Sequence, residues 1–153
     1  PPVASCVSTR NETVIMKKVL VGGCFDLLHY GHIRFLEEAK KLGDVLVVAL
    51  ESDENVRRMK GEGRPIHNQQ QRKTMLEGLL FVDEVVLLPP MKSDEEYKNL
   101  VHRIHPQVIA VTEGDPIVEI KQAQARKIDA ELVVIPKIHT PSTSQLAKLL
   151  RLE

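Results

Sequence analysis

The chain has no tryptophan, two tyrosines and three phenylalanines, an aromatic content of 3%. Bases of single-stranded nucleic acid stack on aromatic faces, so this scarcity argues against such a platform. An excess of either charge is also missing: 21 Lys plus Arg balance 21 Asp plus Glu. General binding to nucleic acid or to a membrane surface calls for a basic excess, so neither partner is expected. Cysteines number two, Cys6 and Cys24. That is too few for a disulfide framework and points to a reducing cytoplasm. No apolar run approaches the roughly 20 residues of a membrane helix. What remains is 153 residues, enough for one domain. A chain this long buries roughly 68–70% of its unfolded surface and needs no staples. A neutral protein that handles a polyanion must concentrate positive charge locally.

Residues 1–15, PPVASCVSTRNETVI, lack periodicity and read as an arm, a linker remnant or a tag. They lack the basic and apolar regions of a signal peptide. Asn11-Glu12-Thr13 fits a glycosylation sequon, but nothing else suggests secretion. The domain is expected over 16–153. Within it, apolar runs alternate with helical patterns. Candidate strands are Lys18–Val21, Val45–Leu50, Glu84–Leu88, Val108–Thr112 and Leu132–Ile135. Their continuous Val, Ile and Leu content is that of strands buried on both faces of a parallel sheet. Candidate helices are His32–Leu42, Gln69–Leu80, Asp94–Ile104, Pro116–Ile128 and one near Thr143–Leu152. Gly43 suits the position after the first helix, Pro116 a first helical position and Ser142 an N-cap. The alternation predicts an α/β fold: a doubly wound, Rossmann-like sheet of five parallel strands.

Ligands of such sheets bind beyond the carboxyl ends of the strands. The first end reads Gly22-Gly23-Cys24-Phe25-Asp26-Leu27-Leu28-His29-Tyr30-Gly31-His32. Neither GxGxxG nor GxxxxGK[ST] is present. Instead, His29 and His32 enter a helix three residues apart, on one side of its first turn. Helix N-termini already favour anions, and two imidazoles there point to a phosphate site. One His at a helix start is commonly a cap. A pair also suits zinc, although no Cys or acidic cluster stands at a matching spacing.

The run GGCFDLLHYGHIRFLEEAKKLGD resembles the HxGH nucleotidyltransferases, the cytidylyltransferase-like family. Ser52-Asp53, Lys60-Gly61, Arg64-Pro65, Arg72 and Val82-Asp83-Glu84-Val85 fall where members carry similar residues. Thr140-Pro-Ser-Thr-Ser144 resembles the family's G-I-S-T-T signature. The resemblance covers residues 17–152. It implies transfer of a nucleotidyl group from CTP or ATP to a small phosphorylated acceptor, with release of pyrophosphate. It also implies Mg2+ accompanying the nucleotide, no protein metal cage, and a homodimer. His29, His32 and Lys40 are the implied catalytic residues. Gly23, Cys24, Phe25, Asp26, Gly31, Gly114, Asp115, Ser142, Thr143 and Ser144 are the implied nucleotide contacts. Arg64 and Arg72 are assigned to the acceptor or to phosphate. Asp26 alternatively braces its loop, and Ser142 alternatively only caps its helix.

Departures from the family pattern bear on the substrates. Glycerol-phosphate cytidylyltransferases have Arg where this chain has Lys137, which lacks the bidentate fork. Glu113-Gly114-Asp115-Pro116 resembles the Gly-Gly-Asp-Tyr of sugar-phosphate adenylyltransferases without the aromatic. Lys60-Gly-Glu-Gly-Arg64-Pro65 resembles the same group, whose acceptor is a heptose phosphate. The acceptor reading is therefore a sugar or polyol phosphate, of heptose phosphate or glycerol 3-phosphate type. Alternatives are FMN, as in FAD synthetases, and a regulatory module that binds nucleotide without turnover.

Overall fold

The computed structural model describes residues 14–152. Cys6, the Asn11 sequon and most of the expected arm lie outside them. Five strands form one parallel sheet: β1 (Lys18–Gly23), β2 (Val45–Leu50), β3 (Glu84–Leu87), β4 (Val108–Thr112) and β5 (Glu131–Ile135). Their order is β3-β2-β1-β4-β5. The register pairs Val19 with Leu46 on one side and with Val108 on the other. Strand order therefore reverses at β1 and β4, where α/β sheets open a crevice for ligand.

The helices are α1 (Tyr30–Lys40), α2 (Asp53–Lys60), α3 (Gln69–Glu77), α4 (Asp94–Ile104), α5 (Val118–Lys127) and α6 (Thr143–Leu149). They bury the sheet on both faces, as the strand composition predicts. Alternate residues of each strand serve opposite layers. Val19, Val21, Leu46, Val48 and Leu50 pack with Leu36 and Ala39 of α1 and Leu76 of α3. Leu20, Val47, Ala49, Ile109 and Val111 pack with Leu100 and Val101 of α4 and Ala125 of α5.

Helix ends differ from the expectations in physically clear ways. Ser52 caps α2 by accepting from the Asn55 amide at 3.1 Å, and Gly61 ends it at φ 104°. This eight-residue helix escapes a hydrophobic-period reading because it buries only Asn55 and Val56. Pro116 is not a first helical residue. The α5 cap is Ile117, whose amide donates to Asp115 Oδ1 at 2.9 Å. Gly43 lies beyond the end of α1 without a positive φ. A Cβ there would stand 2.6 Å from the Lys17 carbonyl oxygen. Close approach, not helix termination, requires that glycine. Ser142 does cap α6, in a reciprocal box with Gln145.

Candidate active site

The crevice between β1 and β4 widens into a cavity of about 600 Å³. Its floor is the turn after β1, lined by Gly23, Cys24, Phe25 and Asp26. Phe25 takes a left-handed backbone, φ 44°, and is buried. This turns its ring across Gly23, where a Cβ would lie 2.8 Å from it, and edge-on to His32.

His29 and His32 both line the cavity, with ring centroids 3.9 Å apart. His29 is the N-cap of α1, and its Nδ1 accepts from the Gly31 amide at 3.1 Å. That bond fixes the neutral tautomer with its proton on Nε2. Burial lowers the pKa of His29. His32 is pushed down to about 4, first by burial, then by His29, with Lys60 adding to the effect and the Leu27 backbone opposing it. Its Nδ1 is buried without a hydrogen-bond partner. Gly31 must be glycine because a Cβ would meet Thr140 Cγ2 at 2.8 Å and the His29 ring at 3.0 Å. The loop before α6 thus closes directly on the histidine turn. Thr143 Oγ1 adds a bond to the Leu27 carbonyl, and Ser142, Thr143 and Ser144 line the same cavity as the histidines.

Asp26 braces its loop. Its carboxylate accepts from Arg64 Nε at 2.6 Å, the Ile66 amide at 2.9 Å and the His67 amide at 3.0 Å. Burial alone raises this carboxyl, but the two amides and the guanidinium outweigh it and hold it below its ordinary value. Arg64 is itself 3% exposed and lines the cavity. Cys24 lines it too, and burial raises its thiol pKa, so the group stays protonated.

Three assignments change. Arg72 is fully buried and outside the cavity wall. Its guanidinium donates to the carbonyls of His67, Cys24 and Glu51 and to Asp53 Oδ1, at 2.6–3.0 Å. It ties the β1 turn to the end of β2 and to α3. Lys40 sits at the amino end of the sheet. Its ammonium reaches Asp83 Oδ2 and the Asp44 carbonyl, both at 2.5 Å. The sheet itself separates it from a phosphate site at the carboxyl end. Gly114, at φ 79°, is exposed at a turn and absent from the wall, whereas its neighbour Asp115 is in it.

Three lysines complete the wall: Lys60 at the end of α2, Lys121 on α5 and Lys137 after β5. Lys121 pairs with Asp115 at 2.6 Å. Among the described residues, Lys60 and Lys137 have no ion-pair partner. A charge run such as Arg57-Arg58-Met59-Lys60 reads as a solvated face. Only the helix ending at Gly61 brings its last lysine over the cavity.

A family model described as cytidylyltransferase-like matches residues 20–145. The bifunctional protein HldE of Campylobacter curvus is 37% identical over 97% of this chain and 30% of its own length. That of Wolinella succinogenes is 41% identical over 86% of this chain and 26% of its own length. The chain thus spans less than a third of these curated relatives. A lipopolysaccharide core biosynthesis protein from Thermoplasma volcanium superposes with a TM-score of 0.64 at 29% identity, covering 80% of this chain and 97% of that one. The histidine turn, the serine–threonine segment beside it and the match over 20–145 lead to one conclusion: the chain belongs to the cytidylyltransferase-like family.

Proposed function

We propose that the protein transfers a nucleotidyl group from ATP or CTP to a sugar or polyol phosphate and releases pyrophosphate. One observation carries this reading: the adjacent His29 and His32 rings open α1 inside a cavity that Ser142, Thr143 and Ser144 also line. The Lys60–Pro65 run and the lipopolysaccharide-related neighbour favour a sugar phosphate acceptor.

An oxygen of the acceptor phosphate attacks the α-phosphorus in line, and the bond to pyrophosphate breaks. Little covalent work falls to the protein, so positioning and charge stabilisation supply the rate. His29 offers Nε2–H to the phosphates because Gly31 occupies its Nδ1. A bound phosphate raises the His32 pKa toward protonation, adding positive charge where the transition state is most anionic. Lys60 and Lys137 balance triphosphate charge from opposite walls. Among the described residues, no three His, Cys, Asp or Glu gather at metal-binding range. In this reading Mg2+ accompanies the nucleotide, as part of the substrate. The same reading implies a homodimer.

The test pairs each of ATP, CTP, GTP and UTP with heptose, glycerol and flavin phosphates and measures pyrophosphate. Release is expected with ATP or CTP and a sugar or polyol phosphate. Nucleotide binding without release from any pair would leave a regulatory module instead.

A further inference from the structure

Helix α2 carries Lys60 to the cavity, yet little apolar contact holds that helix. Val56 is its one buried apolar side chain, and its other buried residue is Asn55, 1% exposed. Arg72 holds the first residue of α2 through Asp53, at the end far from Lys60. Asn55 stands in a closed ring of hydrogen bonds. Its Nδ2 donates to Glu51 Oε2 at 3.0 Å and to the Tyr97 hydroxyl at 3.1 Å, and that hydroxyl donates to Glu51 Oε1. Burial first, and then Glu51, raise the Tyr97 pKa, so the phenol keeps the proton it donates. Arg58 donates to Asn55 Oδ1 at 2.8 Å and to the Met91 carbonyl at 3.1 Å. The ring is tied to the cavity floor. The Glu51 amide donates to the Gly23 carbonyl at 3.0 Å, and the Glu51 carbonyl accepts from Arg72 at 2.8 Å. Glu51, Asn55 and Tyr97 themselves lie outside the cavity wall.

We propose that Glu51, Asn55 and Tyr97 are positioning residues that aim Lys60 at a substrate phosphate. A short α-helix moves as a rigid rod, so the roll fixed at Asn55 fixes the direction of Lys60 at the end of the same helix. One buried valine does not set that roll, because apolar burial is non-directional, whereas hydrogen bonds have a required geometry. Capping does not account for the ring, since Ser52 caps α2 without it. The inference rests on the nucleotidyltransferase reading, in which Lys60 meets phosphate, and adds the residues that hold the lysine there.

Steady-state kinetics with the nucleotide and acceptor that release pyrophosphate test it. Lys60→Met should raise KM ~10-fold or more for the substrate whose phosphate the lysine meets, the scale of a charge-assisted hydrogen bond. Whether the rise falls on the nucleotide or on the acceptor tells which phosphate that is. Tyr97→Phe should raise the same KM ~3–10-fold and leave kcat within ~2-fold, as for lost uniform binding. Added to Lys60→Met, it should change that KM by less than ~1.5-fold, because the group it aims is already gone. Should Tyr97→Phe fail to fold, Glu51→Gln, which removes one acceptor from the ring, gives the same cycle. An unchanged KM in the folded variant, an effect on kcat alone, or one that multiplies fully with Lys60→Met makes the ring merely structural and overturns the inference. So does a Lys60→Met protein with both KM values unchanged, which leaves nucleotidyl transfer standing. If no pair releases pyrophosphate, both fall.

Discussion

His32 carries the site's largest electrostatic cost. A histidine at about 4 in the fold and near 6.5 when unfolded leaves the unfolded chain binding more protons between those values. Stability is therefore full above about pH 6.5 and falls as pH drops toward 4, by on the order of 3 kcal/mol. His32→Asn should flatten that acid limb in melts recorded from pH 7 to 4. The limb persisting unchanged would assign it to other groups. In turnover, losing either histidine should cost ~10²–10³ in kcat, as for a transition-state charge donor. Arg72→Met should act differently. It strips four acceptors of one buried donor group and should destabilise the fold by ~3 kcal/mol or more, measured by denaturant unfolding. The histidines are legible in the sequence because their spacing and the helix start are local. Arg72 is not, since nothing local separates a basic residue facing phosphate from one facing carbonyl oxygens 48 positions away.

At the scale of elements, the histidine turn works because α1 begins where the loop before α6 meets it. Gly31 is the contact point, and the 2.8 Å that a Cβ would leave to Thr140 permits no ordinary packing. Gly31→Ala should displace the Thr140–Ser144 loop and lower kcat/KM by ~10-fold or more, because a small misplacement of reacting groups costs about that much. Ser142→Ala removes half of a capping box and should cost ~1 kcal/mol in a thermal melt. The strands and five of the six helices among the described residues are legible in the sequence, from apolar patterning and cap residues. Helix α2 is not, because it lies outside the two apolar layers and presents mostly polar residues. Its end nonetheless decides the charge of the cavity through Lys60.

For the whole molecule, zero net charge conceals a strongly sorted distribution. Arg64, Arg72, Lys40 and Lys121 each bind a carboxylate. Lys60 and Lys137 bind none among the described residues, and both face the cavity. Composition alone points to a local cationic site, but only tertiary structure tells engaged cations from available ones. The most direct measurement of the central claim follows the phosphorus atoms. With ATP or CTP labelled at the α or the γ position and a sugar phosphate acceptor, the α label should enter the sugar-linked product and the γ label should leave in pyrophosphate. Transfer of the γ label to the acceptor, or its release as orthophosphate, would contradict nucleotidyl transfer.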